Sequence, residues 1–195
     1  MSHAVDLAHM LLGAITRVTG AVATFIRERP APADGASHYG RGRPDDPRTP
    51  VTNEDYGAML CEFASGARGT FEVSRTLVGP QSENAFDVYG TRGAIGWNLE
   101  RLNELRLYRA TDDRGSGYVT VLGGDRFKHH GVFVPGSGNA IGFEDLVTIE
   151  DYEFCSAVAE ARAFEPGFEQ ALAWAQVQDA LLRSVQSERW EEVRS

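Results

Sequence analysis

The run Tyr56-Gly57-Ala58-Met59-Leu60-Cys61-Glu62-Phe63 enters Ala64-Ser65-Gly66-Ala67 and returns as Gly69-Thr70-Phe71-Glu72-Val73-Ser74-Arg75. Two β-rich runs joined by a short loop containing glycine predict an antiparallel hairpin. A second hairpin follows: Ala85 to Tyr89, the turn Gly90-Thr91-Arg92-Gly93, then Ala94 to Trp97. Leu105 to Tyr108 and Gly117 to Leu122 read as further strands, and Val132 to Val134 as another. Strands succeed one another without intervening helices, so the sheet is expected to be mainly antiparallel.

Upstream of the first hairpin, Ser2 to Gly13 reads as a short helix, with Ser2 as N-cap, Leu7, Met10 and Leu11 as its apolar face, and Gly13 as its stop. Ile15 to Arg29 reads as a strand, with Val18, Val22, Thr24 and Ile26 at even positions. Pro30 to Pro50 holds five of the eight prolines and no Ile, Leu, Val, Met or Phe, which predicts a long, flexible surface loop. Downstream, the period changes. Phe143, Val147, Phe154, Cys155 and Val158 fall at helical spacing. After Pro166-Gly167, a second long helix runs from Phe168 to about Glu188, with Phe168, Ala171, Leu172, Ala175, Leu182 and Val185 as its face. Strands followed by helices predict one α+β domain over residues 1–195, with helices packed on one face of a large open sheet.

The 195 residues suffice for one domain with a real core. Nineteen basic against 28 acidic side chains leave a net charge of −9, which argues against nucleic acid or an anionic membrane as partner. No run of about 18 apolar residues is present, and the N-terminus lacks the pattern of a signal peptide. Cys61 and Cys155 are the only cysteines and form no CxxC pair, so buried thiols in a reducing compartment are expected. The expected location is cytoplasmic.

Two motifs invite over-reading. Gly136-Ser137-Gly138-Asn139-Ala140-Ile141-Gly142 has the spacing GxGxxxG, one residue longer than a dinucleotide fingerprint, and lacks a strand-helix-strand setting. Glu144 and Asp145 also sit where a pyrophosphate would bind. Lys128-His129-His130 pairs two histidines without the three or four ligands that a metal needs, so a surface loop is expected, with His130 left open as a substrate-facing imidazole. The first helix carries more chemistry. His3 and Asp6 stand three apart and share a side. An imidazole beside a carboxylate can exchange a proton near neutral pH, although an idle surface pair has the same spacing. Arg75 suits a substrate hydroxyl or carboxylate, or an ordinary edge salt bridge.

Read in order, the segments resemble one family. Ser2-His3-Ala4-Val5-Asp6-Leu7-Ala8-His9-Met10-Leu11-Leu12-Gly13 resembles the GSHxxDLxxxLxG helix of the Gfo/Idh/MocA oxidoreductases, the glucose-fructose oxidoreductase and inositol dehydrogenase family. Glu54-Asp55-Tyr56, Phe63-Ala64-Ser65-Gly66-Ala67, Val88-Tyr89-Gly90-Thr91-Arg92-Gly93-Ala94 and Trp97 to Leu105 follow in the family order. So do Pro135 to Leu146, Gln178-Asp179-Ala180 with Ser184, and Arg189-Trp190-Glu191-Glu192-Val193.

The resemblance covers the substrate and oligomerisation domain, a fold like the C-terminal domain of glyceraldehyde-3-phosphate dehydrogenase, and not the Rossmann domain. It implies a sugar or cyclitol dehydrogenase using NAD or NADP in the full-length parent, with no cofactor expected to bind this chain alone. His3 matches the family's acid/base histidine. Asp6, Arg75, His130 and Asn139 are the substrate-side candidates, with Arg75, His130 and Asn139 assigned by their placement. The family's glutamate-lysine-proline motif belongs to the other domain, and its catalytic aspartate falls before Met1. Hydride transfer by this stretch alone is therefore expected to be negligible. The implied partners are a sugar or polyol, a second copy through the sheet face, and a separate Rossmann domain. No metal is implied. The alternative is a non-catalytic carbohydrate-binding or dimerising scaffold subunit.

Overall fold

The computed structural model describes residues 1–31, 43, 45–110, 117–134, 136 and 138–194. In chain order its elements are α1 (Ser2–Leu12), β1 (Ile15–Ala23), β2 (Glu28–Pro30), β3 (Arg48–Pro50), β4 (Tyr56–Phe63) and β5 (Arg68–Ser74). Then come β6 (Ala85–Gly90), β7 (Gly93–Asn98), a 3-10 turn (Leu99–Arg101), β8 (Glu104–Arg109) and β9 (Val119–Leu122). The chain continues through α2 (His130–Phe133), α3 (Phe143–Ala159), α4 (Phe168–Ser187) and β10 (Glu191–Glu192). The class is α+β, and every strand pair is antiparallel. The chain forms two compact units: residues 1–78 with 171–195, and residues 79–170. The strands divide between them as two four-stranded sheets and a two-stranded ribbon.

In the first unit the sheet order is β10-β1-β4-β5. The hairpin of β4 and β5 forms where the alternation predicts it, and Gly66 supplies the positive φ (88°) of its turn. Alternation puts Val18, Met59, Cys61 and Phe63 on one face, where they pack with Val5 of α1 and Val177, Ala180 and Leu181 of α4. Burying these side chains drives this unit's folding at roughly 25 cal/mol per Å² of apolar surface. Both helices therefore cover the same sheet face, and of the predicted stripes only Val185 of α4 is among the side chains that pack there. Met10 and Phe168 are 70% and 96% exposed, whereas Met1, Ala8, Leu12, Trp174 and Val185 flank the core.

The predicted strand Ile15 to Arg29 ends at Ala23. Asp55, 3% exposed, accepts the amides of Phe25 and Ile26 at 2.8 Å each, which turns the chain out of the sheet. The Pro30–Pro50 stretch is not loop throughout, because its ends pair as the β2–β3 ribbon; residues 32–42 and 44 lie outside the described residues.

In the second unit β6-β7-β8-β9 is a meander. Its register aligns Phe86, Trp97, Leu105 and Val121 in one row and Val88, Ile95, Leu107 and Val119 in the next, giving one apolar face. On the opposite face Arg106 pairs with Asp87. Val132 and Phe133, predicted as strand, belong to α2 instead, where Val134 donates to the His130 carbonyl at 2.9 Å. The predicted stripe of α3 is largely in water, and Ala157 is its buried residue.

Candidate active site

Two of the candidate residues, His3 and Asp6, lie on α1. Its first turn closes with Val5 donating to the Met1 carbonyl at 3.1 Å. Met1 is the N-cap, and Ser2, predicted for that role, lies within the helix and makes no capping bond. Gly13 stops the helix as predicted. Its φ of 86° suits glycine, and its amide donates to the His9 carbonyl at 3.0 Å.

Val5, fully buried, fixes which side of α1 meets the core. His3 is left exposed, and Asp6 and His9 are half-buried. Desolvation raises the Asp6 carboxyl above its ordinary pKa, against the pull of His3 and His9. His3 thus lies near enough to Asp6 to pull on its carboxyl. His9 joins them one turn further on, a residue the sequence reading passed over. Burial lowers its pKa, with Asp6 acting in the opposite direction. Its Nε2 accepts the Ile15 amide at 3.3 Å, which places the proton of the neutral ring on Nδ1.

Arg75 lies just past β5, in the same unit. Its amide donates to the Asp55 carbonyl at 2.8 Å, while its side chain is exposed and makes no ion pair among the described residues. The Asp55 carboxyl is held below its ordinary pKa chiefly by the Ile26 and Phe25 amides. Asp55 therefore anchors two segments, including the backbone at Arg75.

The other candidates lie in the second unit. His130 turns inward on its own loop: Nδ1 lies 3.1–3.2 Å from the carbonyl and amide of Gly124, and its ring meets Phe127 edge-on. Asn139 donates from Nδ2 to the Gly136 carbonyl at 2.9 Å. Asn103 was not singled out. Its Nδ2 donates to the Ile141 carbonyl at 2.9 Å and its Oδ1 accepts the Ile141 amide at 3.1 Å, the pattern of a strand partner.

The two adjacent histidines do not converge. His129 Nε2 lies 2.9 Å from Glu153, which also binds Lys128 Nζ at 2.6 Å and Arg162 Nη2 at 3.1 Å. Hydrogen bonds from Lys128 foremost, then Arg162 and His129, lower the Glu153 carboxyl to about 2. Among the described residues no group of three or more His, Cys, Asp or Glu side chains could hold a metal ion. None of their helices is long and apolar enough to cross a membrane.

Residues 1–96 match the family model of the GFO/IDH/MocA C-terminal domain. The chain belongs to the Gfo/Idh/MocA family. A relative of this Gfo/Idh/MocA domain is levoglucosan dehydrogenase of Pseudarthrobacter phenanthrenivorans, 31% identical over 98% of this chain and 50% of its own. An apo structure of levoglucosan dehydrogenase superposes with a TM-score of 0.90 at 31% identity, over 100% of this chain and 50% of its own. A structure of levoglucosan dehydrogenase with NADH and levoglucosan gives 0.88 at 29% identity, over 100% and 49%. An oxidoreductase domain protein from Kribbella flavida gives 0.87 at 30% identity, over 100% and 50%. The chain spans about half the length of these relatives.

NADH is present in structures of the relatives. In this Gfo/Idh/MocA domain the glycine-rich turn at the head of α3 does not fit a pyrophosphate. Asp145 Oδ2 accepts the Gly142 amide at 2.7 Å, so a carboxylate of the chain itself occupies that helix N-terminus. Pro135 and Ser137 of the same motif lie outside the described residues.

Proposed function

We propose that this chain is the substrate-binding and proton-handling part of an NAD-type dehydrogenase for a secondary alcohol of a sugar or cyclitol. Its relationship to levoglucosan dehydrogenase along 98% of its length carries this reading. His3 is the acid/base residue: exposed, it takes the hydroxyl proton on oxidation and returns it on reduction. Asp6, when ionised, stabilises the imidazolium that forms. Arg75, exposed and unpaired among the described residues, offers two donors in a fork to substrate oxygens. The local bonds of His130 and Asn139 favour a role in shaping their loops.

The test supplies a nucleotide-binding domain of a relative, fused ahead of Met1, and follows NADH formation from levoglucosan and NADH consumption with L-sorbose. His3→Ala is expected to lower kcat by about 10²–10⁴-fold, the usual contribution of a general acid or base. Turnover unchanged by that substitution refutes the assignment, and sugar binding without any turnover favours a scaffold.

We also propose that two copies pair through the outer face of the first unit's sheet. There Leu60 is 50% exposed among Thr19, Ala21, Ala58 and Thr70, beside the ladder Arg17–Glu62–Arg68. Light scattering should show a dimer that Leu60→Arg dissociates; a wild-type monomer refutes the pairing.

A further inference from the structure

We propose that His9 is a positioning residue for His3. Its neutral ring fastens the turn between α1 and β1, and protonation releases that fastener. This inference rests on the acid/base reading of His3.

The geometry is specific. Only two residues, Gly13 and Ala14, separate α1 from β1, and Gly13 has a positive φ of 86°. Two contacts from one residue hold this turn: the His9 carbonyl accepts the Gly13 amide, and His9 Nε2 accepts the Ile15 amide. Ile15 is 3% exposed and belongs to the core, and the β1–β4 pairing is irregular between Ile15 and Arg17. The Ile15 amide therefore takes an imidazole nitrogen as its acceptor. His3 and Asp6 ride on the same rigid helix, so its attachment to the sheet sets their position.

A protonated imidazole has no lone pair to accept an N–H. Protonation of His9 would leave the Ile15 amide facing a cationic donor, and the turn would open. The charged groups near this junction do not prevent that. Arg17 of β1 pairs with Glu62 of β4 and Glu192 of β10, and Glu62 also binds Arg68 of β5. Asp6, and beyond it His3, are the titratable groups on α1 itself, and Asp6 favours the protonated ring. Burial outweighs Asp6 and keeps the ring neutral below the ordinary imidazole pKa of about 6.5. The unfolded chain then binds the proton more readily than the folded one. Stability rises with pH between the lowered folded value and about 6.5, and is constant above it.

The experiment is amide NMR of the whole chain across pH 4 to 8. The Ile15 amide shift and its hydrogen exchange should inflect at the midpoint of His9 ring titration, below the ordinary imidazole value. In His9→Gln, whose carbonyl can accept the same amide without titrating, the inflection should vanish while the fold persists. In the fused enzyme His9→Gln should keep kcat near wild type at pH 8 and exceed it by about tenfold at the acid end, where a misplaced helix is costly. An Ile15 amide that does not inflect in the wild type, or inflects equally in His9→Gln, overturns the fastener. So does a kcat–pH profile that His9→Gln leaves unmoved when His3→Ala abolishes turnover. If the amide titrates as expected but His3→Ala keeps full turnover, the fastener stands and the acid/base reading of His3 falls.

Discussion

Replacing Gly20 by alanine tests how α4 closes over β1. A Cβ at Gly20 would lie 2.5 Å from Leu181 Cδ1 and nearer still to the Ala58 carbonyl oxygen. An ordinary carbon–carbon contact is about 3.8 Å, so the leucine methyl would have to retreat by roughly 1.3 Å. Leu181 is 3% exposed and packs in the core with Val18, Val177 and Ala180, which leaves little room. The Ala58 oxygen is backbone of β4, which is paired on both sides and cannot swing away. The Gly20 amide also donates to Ser184 Oγ at 3.1 Å, a bond that outward movement of α4 would stretch.

Overpacking typically costs about 1–3 kcal/mol, and the double obstruction puts Gly20→Ala at the upper end, about 3 kcal/mol. Removing a strand glycine returns about 0.5–1 kcal/mol, leaving a net loss of roughly 2–3 kcal/mol. For a chain of this size that corresponds to a fall in Tm of roughly 5–10 °C. Thermal unfolding followed by circular dichroism reads it, with Gly117→Ala, where a Cβ meets nothing within 4 Å, as the control. A Gly20→Ala variant within about 2 °C of wild type would mean that α4 does not approach β1 this closely, and the reasoning would fail.

Two further outcomes are expected. Glu153→Gln should destabilise the chain at pH 7. Because the folded carboxyl is lowered to about 2, the deficit should shrink as pH falls below about 4.5 and vanish near 2 in acid-unfolding curves. Cys61 is buried, and desolvation pushes its thiol to about 11, whereas Cys155 is exposed. Intact mass after brief iodoacetamide treatment at pH 8 should show one adduct on the native chain and two in urea, and two adducts on the native chain would contradict this burial.

The hairpins at Tyr56–Ser74 and Ala85–Asn98 were legible because alternation and turn glycine are local signals. So were the extents of α3 and α4, and the Gfo/Idh/MocA motif order, since both are patterns along one dimension. His3 and Asp6 could be paired from their spacing alone, because i and i+3 share a helix side. Other features depend on what lies across space. The face of α4 is Val177, Ala180, Leu181 and Ser184, because Gly20 lets the helix approach where its serine can take a strand amide. Apolarity alone pointed to Phe168 and Leu172, which are exposed.

Asp55 reads as one more residue of a strand motif, yet its carboxylate ends β1 by taking two amides about 30 positions upstream. Val132 and Phe133 favour a strand by composition, but they form a helical turn whose first residue, His130, is held to the Gly124 backbone. His9 is a further histidine on an amphipathic helix until the Gly13 turn brings the Ile15 amide to its ring. Local residue patterns thus determine which elements form and in what order, since each is decided within a few turns or strand pairs. Which side chain of an element becomes core, anchor or proton carrier is settled by partners far along the chain, because burial and hydrogen bonding are properties of the packed whole.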